Sequence, residues 1–258
     1  MQKIKVSVVS YSNSVPFVYG LLNSDIIGDI NLSLDIPSVC ADKVINGLAD
    51  IGLIPTVEIL RLKSYEILTN LCIGSNDYVK TVVLASDVPL HEITHIHLDY
   101  QSRTSVVLAK VLARHFWKIC PEWIIAKPGF EETSIKDKTG AVIIGDRTFS
   151  INAPYKYDLI HEWKTFTNLP FVTANWVTTR KLEEDFKCRF SQALNFGVQN
   201  LAASSQFYKN SLTKNIDLLD YLKNYISYDF DEPKQKAKDL FLTYAKELVD
   251  TTKRTSIP

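Results

Sequence analysis

No stretch of these 258 residues approaches the roughly 18 consecutive apolar side chains of a membrane-spanning helix. The opening MQKIKVSVVS has neither the apolar segment nor the small-residue cleavage site of a secretory leader and enters an apolar strand at once, so a cytoplasmic location is expected. With 29 basic and 29 acidic side chains, neither sign is in excess, and the basic footprint of a nucleic-acid binder is missing. The four cysteines, Cys40, Cys72, Cys120 and Cys188, form no CxxC pair and have no histidine at metal-ligand spacing. That speaks for free thiols in a reducing compartment and against a disulfide or zinc framework. The patterns GxGxxG, GxxxxGK[ST] and GxSxG do not occur, and the five histidines form no HExxH, so nucleotide-phosphate, acyl-enzyme and zinc-protease chemistries lose support. Only nine glycines are present, with no repeat, low-complexity tract or obvious linker.

What remains is an ordinary globular composition, 46% apolar and 22% charged, in a chain long enough for one large domain or two lobes. The first half alternates short apolar runs with helical patterns, the signature of βαβ units around a mostly parallel sheet. Strands are predicted over Lys5–Val9, Leu32–Ile36, Ile51–Ile54, Glu66–Cys72, Thr81–Ala85, His95–Leu98 and Ala141–Ile144. A helix capped by Ser38 should carry Val44 and Leu48 on one face, and another should run from Thr104 to about Phe116. Three helical patterns close the chain: Leu182 to Val198, Ile216 to Ile226, and one opened by Pro233 that carries Ala237, Phe241, Tyr244 and Leu248. Two extended segments, VKTVVLAS at 79–86 and LPFVTANW at 169–176, read as crossings between lobes. They predict a discontinuous first lobe, residues 1–80 with 178–258, and a second over 81–177, with a ligand cleft between them.

Small polar residues gather just where buried strands are expected to end. Ser12, Asn13 and Ser14 follow the first strand, Ser38 the second, Thr56 the third, and Ser102, Arg103, Thr104 and Ser105 the first strand of the second lobe. At such ends helix N-termini present unpaired N–H groups, and beside Arg103 they favour a carboxylate or phosphate. Ser102 and Thr104 also suit helix caps, and Asn13 suits a local turn. Thr81 could turn its hydroxyl to a ligand, with Lys80 pointing the opposite way in an extended segment. Asp146, after Gly145, reads as a loop carboxylate that caps a helix or holds an arginine.

The ordered set SYSNSVPF, IPSVCADKVINGLADIGLIPTVE, VKTVVLAS, LDYQSRTSVVLAKVL, IIGDRTF and YDLIHEWKTFTNLPFVTANW, spanning residues 4 to about 177, resembles the chorismate dehydratase family of the futalosine route to menaquinone. The resemblance implies an α/β, two-lobed fold like that of type II periplasmic binding proteins. It also implies dehydration of chorismate to 3-[(1-carboxyvinyl)oxy]benzoate with no metal or organic cofactor. It carries the family's asparagine onto Asn13 and its functional hydroxyl onto Thr81 as catalytic residues. Ser12, Ser14, Ser38, Thr56, Ser102, Arg103, Thr104, Ser105 and Asp146 are then expected to bind substrate. Neither Asn13 nor Thr81 is a base when neutral, so the resemblance assigns the ring proton to a substrate carboxylate.

Two departures stand out: Lys80-Thr81 where Arg-Ser is usual, and Ser12 and Ser14 where Leu and Ala are usual. A related enzyme of the same pathway, dihydroxynaphthoate synthase, shares the fold but opens with a Cys-Pro-Asn-Asp pattern that residues 11–17 lack. A cytoplasmic sensor or binding module for a small carboxylate is the other reading. The expected partner is the small-molecule substrate, with neither nucleic acid nor membrane. Oligomeric state stays open, a homodimer being one option.

Overall fold

The computed structural model describes residues 3–132, 135–208, 213–214 and 216–254. In chain order its strands are β1 (Ile4–Val9), β2 (Ile30–Asp35), β3 (Ile51–Pro55), β4 (Glu66–Ser75), β5 (Val82–Ser86), β6 (His95–Leu98), β7 (Glu122–Ile125), β8 (Thr139–Ile144), β9 (Tyr155–Asp158), β10 (Phe171–Thr178) and β11 (Ser227–Asp229). Its α-helices are α1 (Val15–Leu22), α2 (Pro37–Ile45), α3 (Thr104–Leu112), α4 (Leu159–Thr167), α5 (Glu184–Gln199), α6 (Leu201–Phe207), α7 (Leu218–Asn224) and α8 (Glu232–Arg254).

The chain forms two compact units, each built on one sheet: residues 1–75 with 172–231, and 76–171 with the C-terminal segment from Glu232. In the first unit the strand order is β11-β4-β10-β3-β1-β2. There β1 runs parallel to β2 and β3, and β10 runs antiparallel to β3. Parallel strands covered on both faces need continuous apolar runs, and β3 is buried at every position.

On one face α1 crosses α5 at two glycines. A Cβ on Gly20 would stand 2.0 Å from the Ala193 carbonyl oxygen, and one on Gly197 1.7 Å from that of Pro16, so only hydrogen fits at either place. On the other face α2 packs over Gly52 of β3, whose Cβ would meet Val44. Its Lys43 ammonium is held by Asp35 at the end of β2 (2.6 and 2.7 Å). Burial would raise the Asp35 carboxyl, but hydrogen bonds from Lys43, Ser33 and Ser7 outweigh it and keep the group below its ordinary value.

The second sheet has the order β7-β6-β8-β5-β9, with β6 parallel to β7 and β8, and β5 antiparallel to β8 and β9. Its core joins Val83, Ala85, Ala141 and Ile143 to Ala126 and Phe130. On the helical side Trp163 of α4 meets Phe171 and Phe241 edge-on, at 5.4 and 6.1 Å.

The C-terminal helix corrects the lobe boundaries read from sequence. Expected in the first lobe as part of 178–258, α8 packs instead in the second unit, because Phe241 belongs to the aromatic cluster of Trp163 and Phe171. The passages between units fall after Ser75, Phe171 and Asp231. β10 is a strand of the first sheet and β5 an internal strand of the second. The predicted Thr104–Phe116 helix is α3 followed by a π-helical turn, Ala113–Trp117, ended by Lys118 at φ 58°.

Candidate functional site

The first unit has a polar edge at the carboxyl ends of its parallel strands. β1 ends into a tight turn, Ser12–Ser14, from which α1 starts with Pro16 in its first turn. Ser12 and Ser14 are buried and Asn13 is half-buried. The Ser14 hydroxyl is spent inside the turn, donating to the carbonyls of Val9 and Tyr11 (2.8 Å to the latter). The Asn13 backbone carbonyl accepts from the phenol of Tyr228 at 3.0 Å, and Tyr228 packs edge-on against Phe17. Burial pushes that phenol well above its ordinary value, so it is a fixed donor. The Asn13 side chain makes no such commitment: its Oδ1 is buried with no hydrogen-bond partner among the described residues.

At the end of β3, Thr56 is fully buried and donates its hydroxyl to Asn175 Oδ1 of β10 at 3.1 Å. Ser38 lies half-buried in the first turn of α2. It is not the cap predicted: Ile36 occupies that position and Pro37 opens the helix, which places Ser38 two residues too late.

The second unit has a corresponding edge where β6 and β8 end and β5 begins. Asp99 follows β6, and its wholly buried carboxylate gathers three donors: the N–H of Gln101 (2.9 Å) and of Ile144 (3.0 Å), and Arg147 at 2.5 Å through Nη2. That gathering is three groups on two oxygens, and Arg147 turns its other nitrogen to Glu131 at 3.2 Å. Burial pushes the Asp99 carboxyl up, against the pull of Arg147 and the two N–H donors.

From this anchor the chain turns into α3. The Ser102 hydroxyl accepts the N–H of Ser105 at 3.1 Å, the capping bond expected of it, while Arg103 stands at the cap position and Thr104 is already helical. Ser102, Thr104 and Ser105 are buried and Arg103 is half-buried. After β8, Gly145 adopts φ 69° and donates its N–H to the Thr81 carbonyl at 2.9 Å, which joins the start of β5 to this edge. Thr81 is buried, with its hydroxyl 3.4 Å from the Val79 carbonyl.

Asp146 is buried after β8, next to Arg147, which Asp99 and Glu131 hold. One expectation is corrected here. Lys80 is not extended: it sits at φ 64°, its N–H and that of Val79 both bonded to Asp158 Oδ2 (2.7 and 2.9 Å), and β5 starts at Val82. Asp158 also caps α4 through the N–H groups of Ile160 and His161. Burial pushes its carboxyl up, against these four donors.

Within the first unit the structure therefore brings together Ser12, Asn13, Ser14, Thr56 and, unforeseen, Asn175 at or beside the ends of paired strands. Within the second it brings together Thr81, Ser102, Arg103, Thr104, Ser105 and Asp146, with Asp99 and Arg147 as the framework the sequence reading missed. Among the described residues no group of three or more His, Cys, Asp or Glu side chains is placed to hold a metal ion. No described helix is long and apolar enough to cross a membrane.

Comparison with known proteins adds the following. A profile of the family described as menaquinone biosynthesis matches residues 4–247. Protein AF1704 of Archaeoglobus fulgidus is similar in structure, with a TM-score of 0.74 at 14% identity over 95% of this chain and 97% of that one. An alkanesulfonate-binding protein of Xanthomonas axonopodis pv. citri, solved bound to MOPS, is similar at TM-score 0.64, 12% identity and 95% and 93% coverage. A Candida albicans protein described as having the generic periplasmic binding protein fold gives TM-score 0.60, 15% identity and 95% and 90% coverage. At these identities the likeness speaks for the fold: a mixed α/β, periplasmic-binding-protein-like chain with two sheets.

Proposed function

Because the chain belongs to the menaquinone biosynthesis family, we propose that it is a chorismate dehydratase, a hydro-lyase that converts chorismate to 3-[(1-carboxyvinyl)oxy]benzoate and water. The observation that carries this reading is the family match over residues 4–247, which takes in both polar edges. The substrate is a small diacid with one ring hydroxyl, and a chain of balanced charge can bind it through N–H groups, hydroxyls and one arginine.

In this reading the turn at Ser102, Arg103, Thr104 and Ser105 holds a carboxylate at the N-terminus of α3, where the helix dipole and guanidinium favour negative charge. Water is excluded around the bound molecule, and its reacting atoms are held in a fixed geometry. The C–H bond at the ring carbon bearing the enolpyruvyl ether breaks and its electron pair becomes a ring double bond. The neighbouring C–O bond breaks, and the hydroxyl departs with that proton as water. Aromatisation drives the step. The amide of Asn13 and the hydroxyl of Thr81 orient the ring and donate to the departing oxygen. Neither is basic when neutral, so a carboxylate of the substrate takes the proton. Ser12, Ser38, Thr56 and Asp146 shape the surrounding polar wall, and Ser14 holds the turn that presents Asn13.

Purified protein mixed with chorismate and no added metal is expected to consume it and release the enolpyruvyl benzoate in equal amount, followed by chromatography with ultraviolet detection. Unchanged chorismate that raises the melting temperature would instead mark a binding module without chemistry, and would overturn the assignment.

A further inference from the structure

We propose that Asn175 is a substrate-binding residue, donating its side-chain N–H to a carboxylate oxygen of the bound diacid, with Thr56 aiming it. This rests on the reading above, in which no residue of β10 was given a role. Asn175 is 0% exposed, in a strand whose buried neighbours Phe171, Val172, Ala174, Trp176 and Val177 are apolar or aromatic. It pairs with Ile54 across the β3–β10 ladder, so it shares the sheet face of Ile54, one pair in from the Pro55 end of β3. Trp176 beside it turns to the opposite face, against Phe17 and Phe190.

The Thr56 hydroxyl occupies Asn175 Oδ1 at 3.1 Å, and this fixes the amide plane. The other end, Nδ2, is buried and has no hydrogen-bond partner among the described residues. A buried donor left in this state is costly, and a valine or leucine would fill the position without that cost. Such a cost persists where the missing partner arrives with a ligand. With Oδ1 already engaged, the amide can offer only a donor, so the ligand atom must be an acceptor. Chorismate supplies carboxylate oxygens, and no water competes for the donor at a site closed to solvent. The nearby Asn13 Oδ1, likewise buried and without a partner among the described residues, gives the same strand ends an acceptor of their own.

The test is steady-state kinetics on chorismate with thermal melts, for the wild type, Asn175→Leu and Asn175→Ala. The expected result is a KM raised about ten- to a hundredfold, a smaller change in kcat, and loss of the melting shift produced by chorismate. Asn175→Leu should melt no lower than the wild type, because the uncompensated amide is gone. A framework role predicts the reverse split, a lower melting temperature with KM unchanged. A KM within twofold of the wild type in either folded variant overturns the proposal, as does failure of both to fold. A wild type that neither turns over chorismate nor is stabilised by it overturns the functional reading itself, before any variant is made.

Discussion

Asn13→Ala lowers kcat/KM for chorismate by about a hundred- to a thousandfold, the loss typical of removing one donor aimed at charge that develops in a transition state. Stability should barely change. The hydrogen bond that Asn13 contributes to the fold comes from its backbone, whose carbonyl takes the Tyr228 phenol, and alanine keeps that carbonyl. Its side-chain Oδ1 has no hydrogen-bond partner among the described residues to lose. Thr81→Val keeps shape and the backbone carbonyl that binds the Gly145 N–H but removes the hydroxyl. Turnover should fall in this variant, while Thr81→Ser retains most of it. Steady-state rates and thermal melts on the same preparations check both positions. Rates equal to the wild type would take Asn13 and Thr81 out of the site.

Asp99→Ala should be the most destabilising single change at the second edge. The carboxylate is buried, its partner Arg147 is only 14% exposed, and the same group accepts the N–H of Gln101 and of Ile144. Removing one partner of a buried pair strands the other charge, at a cost of about 3–5 kcal/mol. For a chain of this size that lowers the melting temperature by roughly 6–20 °C. The pair itself is not a large net source of stability, since burial already pushes the carboxyl up against its donors. Replacing both members, as in Asp99→Leu with Arg147→Met, should therefore recover much of the loss. Melting by circular dichroism measures both. A single variant that melts within about 2 °C of the wild type would show that this network does not hold the edge together.

How much of this was legible in the sequence differs by element. The runs behind β1 and β3 were readable because buried parallel strands are apolar along most of their length, and β6 because buried Ile96 and Leu98 alternate with His95 and His97. By contrast, β9 is an edge strand that reads YKYD, with Tyr155 and Lys156 exposed, so it offers no alternation to detect. It also runs into α4 without a loop: Asp158 is both the last strand residue and the helix cap, and no glycine or proline marks the change. β7 is the other edge strand of that sheet, and its Ile125 is exposed, against the usual meaning of an apolar residue.

At the candidate site the small polar residues that follow buried strands were visible as breaks in hydrophobicity, which is how Asn13, Thr56 and the turn at Ser102 were found. The Asp99–Arg147 pair was not visible, because it depends on β6 and β8 being neighbours across 48 residues of chain. Asn175 left one signal that could have been read, a lone amide inside the apolar run PFVTANWV. Its meaning appears only once Thr56 is seen to hold one end of that amide.

The central proposal is that the chain dehydrates a small diacid with the help of Asn13 and Thr81. Its most direct test is a crystal structure of the protein with 3-[(1-carboxyvinyl)oxy]benzoate bound. The account predicts the Asn13 amide and the Thr81 hydroxyl within about 3.2 Å of the same product molecule, with a carboxylate at the start of α3. A product bound away from Asn13 and Thr81 would contradict it.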